Sequence, residues 1–446
     1  MWQAETFDPV KIDQEIGLGQ NLGMNTMRIF LHDLVYAQDP TGFKNRVTTV
    51  LQIADKYGIK PILVFFTTGA IANPSTSGFQ PPPVQGVRES QFAASPSLAT
   101  LITPSAWSSL QTYLTDIVGT FANDARVLAW DIWNEPDNGL DANAVQNVIQ
   151  LLPQAFAWAR SVNPTQPLTS SVYKDDYTSG NFSTIEQLQI NNSDVVSFKS
   201  ATDNTNTFSQ LITALQKFNR PIIATEVVHR NLIPSNGAAS TINILPIVKS
   251  NNVGIIYGGF VNGATRRNFP PDSWQNPYVG IPPSVWYHDL FRNDLTPYLL
   301  EEIRNIKHFN DCPFGYQYKV DNFTCYNAYP TPVNFTNGQA ACMNTYSTLV
   351  TINSAFENSE LRNYISSSNF SNCDRFYIGL HKGDDWLSWQ WQLRGKNVPY
   401  VNPGYRNWKT GYPINSPTFN CVVLNKADGT WTNQPCYNTD CYICGY

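Results

Sequence analysis

Cysteine is missing from everything that precedes Cys312 in this 446-residue chain, so no disulfide can brace that part. Charge is scarce too. Asp, Glu, Lys and Arg make up 14%, against roughly 25% in an ordinary soluble protein. There is no Lys/Arg run and the net charge is −5, which excludes the clustered basic surface that nucleic acid requires. No apolar run approaches the length of about 18 residues that a membrane span needs. No Gly-rich phosphate fingerprint follows an early apolar run, which removes the commonest nucleotide-binding device. Internal repeats are absent as well. The start, MWQAETFDP, has neither the charged n-region nor the apolar h-region of a secretory signal.

What is present points outside the cell. All 8 cysteines lie between Cys312 and Cys444, an even number at disulfide-framework density, which implies an oxidising compartment. The close pair Cys441 and Cys444 has no second such pair to complete a zinc site. Sequons at Asn181, Asn191, Asn322, Asn334 and Asn369 agree with secretion. Aromatics reach 13%, with 12 Trp and 22 Tyr; such rings stack on the apolar faces of sugars, and equally fill cores. The length suits two domains, and the change in cysteine usage places them at 1–308 and 309–446.

Up to about residue 305, apolar runs alternate with amphipathic stretches. Strand-like runs occupy 24–31, 60–66, 126–134, 167–172, 194–199, 220–226 and 253–260, and the first helix opens at Asp8-Pro9. Continuous apolar strands between helices mean a parallel sheet covered on both faces, doubly wound or closed into a barrel. The long Pro/Ser/Gly-rich loop 68–103 follows a strand end, where barrel enzymes build their sites. The motif WDIWNEPDN ends one strand at Glu135, and PIIATEVVHR ends another at Glu226, about three βα units later. A lone strand-end Glu is usually just a satisfied polar residue. Two carboxylates at the C-terminal ends of parallel strands face one mouth, as the acid and nucleophile of glycoside hydrolysis do.

These motifs, with NTMRIFLHDL, AFAWAR, DSWQ and VWYHDLFRNDLTPY, make the segment from Phe7 to about Ile306 resemble cellulase-like glycoside hydrolases of clan A, of the 1,4-β-xylanase or cellulase type. The resemblance implies a (β/α)8-type TIM barrel, in the α/β class, with Glu135 as acid/base and Glu226 as nucleophile. The two carboxyls would stand at the retaining separation of about 5–5.5 Å. Asn134 would bond the sugar 2-hydroxyl, Arg28 would hold Glu226 ionised, and His32 and Asp33 would line the mouth. No cofactor or metal is implied; the partner is a polysaccharide or oligosaccharide substrate. The chain departs from the family at three places. Phe198-Lys199-Ser200-Ala201 replaces the family's Phe-His-Asn-Tyr, Val227 follows the nucleophile in place of Tyr, and IIYGGF offers Gly258, with Tyr257 adjacent, where a Trp is usual. Hence two readings compete: a secreted retaining β-glycosidase, or a degenerate barrel that binds without turnover.

From Cys312 onward CPFGYQYKVDNFTCY, FYIGL, FNCVVLN, GTWTNQPC and YICGY resemble a C-type lectin-like domain of the longer kind, a small α+β fold. The resemblance implies the pairs Cys312–Cys325, Cys342–Cys444, Cys421–Cys436 and Cys373–Cys441. Calcium-dependent sugar sites of this family use Glu-Pro-Asn or Gln-Pro-Asp and Trp-Asn-Asp; this chain has Tyr412-Pro413-Ile414 and Trp431-Thr432-Asn433. Side-chain oxygens are lost at the first place. No classical calcium site is expected, and the ligand is a glycan or a protein.

One expectation concerns the start. Seven strands are counted where a closed barrel needs eight. A strand should precede the Asp8 cap, and MWQAETF lacks the continuous apolar run of a central strand. Met1 therefore reads as an internal methionine, with the first strand upstream.

Overall fold

The computed structural model describes residues 1–75, 80, 82–202, 204–227, 229–230, 241–309, 317–319, 324–345, 347–366, 370–383, 388–393, 396–399 and 404–445. The chain divides into two compact units, Met1–Phe309 and Asn310–Tyr446.

In the first unit, strands and helices alternate as the apolar periodicity dictates. The strands are β1 (Arg28–Phe30), β2 (Ile62–Thr67), β3 (Ala129–Asn134), β4 (Leu168–Thr169), β5 (Val196–Lys199), β6 (Ile222–Val227) and β7 (Gly254–Tyr257). The helices are α1 (Pro9–Asn21), α2 (Asp33–Gln38), α3 (Pro40–Lys56), α4 (Leu98–Leu101), α5 (Trp107–Thr120), α6 (Ala142–Ser161), α7 (Thr184–Asn192), α8 (Thr205–Gln216), α9 (Thr241–Ser250) and α10 (Leu300–Phe309). The caps act as the sequence suggests: the Asp8 carboxylate accepts from the backbone N–H of Val10 and Lys11 at 3.1 and 3.0 Å. Ser183 and Glu186 close a capping box on α7.

Every strand pair is parallel, and two sheets result, β1-β2-β3-β4 and β5-β6-β7. All six residues of β2 and of β3 are buried, as befits strands covered on both faces. A parallel bridge between Val172 and Phe198 lays the chain beyond β4 alongside β5. Two hydrophobic clusters match the two sheets, one around Phe65, Trp130 and Phe156, the other around Phe198, Phe208 and Leu211. Among the described residues the parallel strands of this unit thus form sheets of four and three strands, with the Val172–Phe198 bridge between them. Ala4–Thr6 form a single 3₁₀ turn rather than a strand. Trp2 is buried there, and its indole N–H donates to the Phe30 carbonyl.

The second unit is built on a mainly antiparallel sheet. Its strands are β8 (Gln317–Lys319), β9 (Thr324–Val333), β10 (Thr348–Leu349), β11 (Arg375–Lys382), β12 (Trp389–Leu393), β13 (Lys396–Pro399), β14 (Cys421–Asn425), β15 (Trp431–Gln434) and β16 (Asp440–Gly445), with α11 (Phe335–Met343) and α12 (Ala355–Ile365) beside them. The order β13-β12-β11-β16-β9-β8 pairs the last strand of the unit, β16, antiparallel with its second, β9. Disulfides Cys342–Cys444, Cys373–Cys441 and Cys421–Cys436 have Cα separations of 5.4, 6.0 and 5.1 Å, within the normal range. Cys325 is disulfide-bonded as well; its expected partner, Cys312, lies outside the described residues. No described helix is long and apolar enough to cross a membrane.

Candidate functional site

Glu135 follows the last residue of β3, and Glu226 lies near the end of β6. Their carboxylates converge on a single group, the Lys199 ammonium at the end of β5. Lys199 Nζ donates to Glu135 Oε1 and stands 2.8 Å from Glu226 Oε2. The two nearest carboxylate oxygens are therefore no more than two ion-pair lengths apart, with a cation between them. Both are also held from behind. Glu135 Oε2 accepts from Asn138 Nδ2 at 2.7 Å, and Glu135 sits in the left-handed region with φ of 49°, which a non-glycine residue adopts only where its surroundings enforce it. Glu226 Oε2 accepts from Arg267 at 2.9 Å. Arg267 also reaches Glu89 at 3.1 Å, and Glu89 pairs with Arg88 at 2.9 Å.

The electrostatics follow from this crowding. Burial alone would raise the Glu226 pKa, but Arg267 and Lys199 outweigh it and hold the carboxyl well below the usual range. Burial alone would lower the Lys199 pKa; Glu226 and Glu135 outweigh it and keep the ammonium charged beyond its ordinary range. Glu89 is likewise held low, its burial overcome by Arg267 and Arg88.

The other expected contacts are placed differently. Arg28 donates chiefly to Asp131, at 2.9 and 2.6 Å, and lies 3.7 Å from Glu226. Asp131, fully buried in the middle of β3, needs that partner more. Asn134 is committed inside the protein: its Oδ1 accepts from Arg28 at 3.0 Å and its Nδ2 donates to Thr67 at 3.1 Å. His32 caps α2, its Nδ1 accepting from the Leu34 N–H at 3.3 Å beside Asp33; burial lowers its pKa. Tyr257 belongs to a small pocket lined by Arg230, His288, Asp289 and Glu302, whose lining includes neither Glu135 nor Glu226. Burial, reinforced by Glu302, pushes its phenol well above the usual range. At Gly258 a Cβ would meet the His288 ring at 2.9 Å, so that imidazole occupies the space next to the missing Trp. Burial, then Arg267 and Arg88, push the His288 pKa well below its ordinary value.

Arg267, Glu89 and His288 escaped the sequence reading. Arg267 and Glu89 lie in loops without a motif, while His288 sits inside VWYHDLFRNDLTPY, and nothing local distinguishes it. Asp131 carried a legible signal, since a single charge inside the apolar run AWDIWN demands a cation.

In the second unit the loop after Tyr412-Pro413 is tied down by Asn433. Its Oδ1 accepts from the Ile414 N–H at 2.7 Å, and its Nδ2 donates to the carbonyls of Ile414 and Phe419, each at 2.8 Å. A side chain so engaged, beside Tyr412 and Ile414, which lack carboxylates, does not fit a calcium ligand set.

Residues 331–446 match the lectin C-type domain family. The human C-type lectin domain family 17, member A is 31% identical over 121 residues, which is 27% of this chain and 29% of that protein. The chain thus spans less than a third of the length of that curated relative. Among solved structures, the mouse scavenger receptor C-type lectin carbohydrate-recognition domain is 28% identical and covers 30% of this chain and 95% of its own, with a TM-score of 0.26. The cow C-type carbohydrate-recognition domain of CD23 is 25% identical at the same coverages and TM-score. Residues 331–446 form a C-type lectin-like domain.

Proposed function

We propose that the protein is a secreted recognition protein: a (β/α)8-type first unit that no longer hydrolyses, coupled to a lectin-like unit whose ligand is a glycan or a protein. The alternation of seven parallel strands with helices supports the barrel reading. The disulfides support an oxidising, extracellular setting. One observation carries the loss of hydrolysis, the Lys199 ammonium held between Glu135 and Glu226. Retaining hydrolysis needs the anomeric carbon between acid and nucleophile. Here that gap holds a side chain, and Asn134, the expected partner of the sugar 2-hydroxyl, is spent on Arg28 and Thr67.

A screen of pure polysaccharides and aryl glycosides, with Glu226→Gln as control, tests this. No turnover above the control is expected; turnover that Glu226→Gln abolishes would overturn it. The convergence of the two glutamates favours a second reading, a retaining glycosidase acting on a polysaccharide or oligosaccharide. That reading requires Lys199 to leave the gap when substrate arrives.

A further inference from the structure

Sequons at Asn181, Asn191 and Asn334 fall on described residues, and their surroundings differ. At Asn191 the sequon hydroxyl, that of Ser193, is buried; it donates to the Gln189 carbonyl at 2.7 Å and accepts from the Ser170 N–H at 3.1 Å. At Asn181 the neighbouring ring, Phe182, packs inward on Tyr177 and Phe218. Asn334 combines what the other two lack. Its sequon partner, Thr336, is exposed. Its Oδ1 caps α11, accepting from the Asn337 N–H at 2.8 Å, which fixes the amide in one orientation. The Asn334 Nδ2, the atom that a glycan substitutes, makes no hydrogen bond among the described residues.

An aromatic ring stands beside this amide. Tyr437 is 74% exposed, in a turn that the Asn438 N–H closes by donating to the Pro435 carbonyl at 3.1 Å. The Phe335 N–H donates to the Cys436 carbonyl at 3.1 Å, so Asn334 and Tyr437 each lie one residue from that bond, and Val333 pairs with Asp440 just beyond it. The Cys421–Cys436 disulfide anchors the turn. A ring left in water forfeits the stabilisation that burial of its surface gives, and the apolar face of a sugar is shaped to cover it.

We infer that Asn334 is an N-glycosylation site and that the first N-acetylglucosamine of its glycan packs on the Tyr437 ring. The inference rests on the secreted setting of the proposed function. The donor is a polyprenyl-pyrophosphate-linked oligosaccharide of the secretory pathway. The bond from Nδ2 to the sugar C1 forms and the bond from C1 to the pyrophosphate oxygen breaks. The amide gives up one proton, and the polyprenyl pyrophosphate leaves. The carbonyl Oδ1 is untouched, so the cap on α11 survives the modification.

The test uses the full chain, expressed behind a secretory leader in animal cells held to high-mannose glycans. Sites are mapped by mass spectrometry after peptide N-glycosidase treatment in heavy-oxygen water, on intracellular as well as secreted material. Asn334 should be occupied in most molecules, and Thr336→Ala should abolish that occupancy while Thr336→Ser keeps it. A glycan on Asn181 with none on Asn334 would overturn the inference alone; no glycan on any sequon would overturn it together with the secreted setting. Packing on Tyr437 is read from melting of the second unit, after an endoglycosidase has trimmed every glycan to one N-acetylglucosamine. Thr336→Ala should melt roughly 3–6 °C below the wild type and Thr336→Ser within about 1 °C of it. When Tyr437→Ser is present in all three, the Thr336→Ala deficit should shrink to under about 2 °C, the coupling that a double-mutant cycle isolates. A deficit that stays the same without the ring would refute the packing.

Discussion

The two units answer one problem, holding polar and irregular segments in fixed places, by opposite means. The first has no cysteine and fixes its central residues with a web of buried ion pairs running from Asp131 through Arg28, Glu226 and Arg267 to Glu89. The second uses covalent bridges and amide hydrogen bonds, with Asn433 gripping the loop after Pro413. Ion pairs answer to pH and to the loss of a partner; disulfides answer to reductant. The difference shows what each unit tolerates.

Reduction should separate them most sharply. Cys342–Cys444 closes a sequence separation of 102 residues, and its removal by Cys342→Ser should cost about 4–5 kcal/mol on chain-entropy grounds. Thiol treatment should therefore unfold the second unit and leave the first intact, as read by hydrogen exchange of each unit. Protection lost in both would break the comparison.

Arg28→Met is the converse experiment. It strands the fully buried Asp131 carboxylate and should cost the first unit about 3–5 kcal/mol, while the second unit's denaturation midpoint stays put. A change below about 1 kcal/mol would mean that the web is not what holds the first unit together.

Acid should act in the same direction, more weakly. The depressed pKa values of Glu226 and Glu89 contribute stability that is present above the ordinary carboxylate pKa and is lost as pH falls towards their folded values. Asp131 and Asp33 offset part of this, since burial pushes their carboxyls up. Lys199, with a raised pKa, contributes stability that is complete below its ordinary value and is lost as pH rises through its folded one. Urea unfolding should show the first unit weakening at both extremes. A profile flat from about pH 3 to 11 would contradict the assigned ion pairs.

Asn433→Asp sets a carboxylate oxygen against the Ile414 and Phe419 carbonyls and should cost the second unit about 1–3 kcal/mol. Calcium should not shift the wild-type melting temperature relative to chelator. A calcium-dependent rise that Asn433→Ala removes would show that the loop holds the ion after all. The smallest effect should be shared: Ser183→Ala and Ser354→Ala each remove a side-chain helix cap, at about 1 kcal/mol apiece. Similar losses would place the difference between the units in their tertiary links, not in their helices.

The sequence by itself determined everything that short-range physics controls. Asp8-Pro9 starts α1 and the uninterrupted run ILVFFT becomes a fully buried parallel strand, while the bridges Cys342–Cys444, Cys373–Cys441 and Cys421–Cys436 were legible only through the resemblance to C-type lectin-like domains. The Asn-Glu motif and the second strand-final Glu lie at the ends of their strands because strand ends are set locally. What only the tertiary structure decided is which charge meets which. Lys199 was visible as a departure, yet its bridge to Glu135 spans 64 positions. Arg28 chose Asp131, 103 positions away, over Glu226. Ion-pair choice depends on distance and burial across separate strands, and neither is written in the neighbours of a residue. The same holds for Asn433, which in the sequence only stands where the family's calcium sites carry Asp and proves to be a clamp once the loop folds over it.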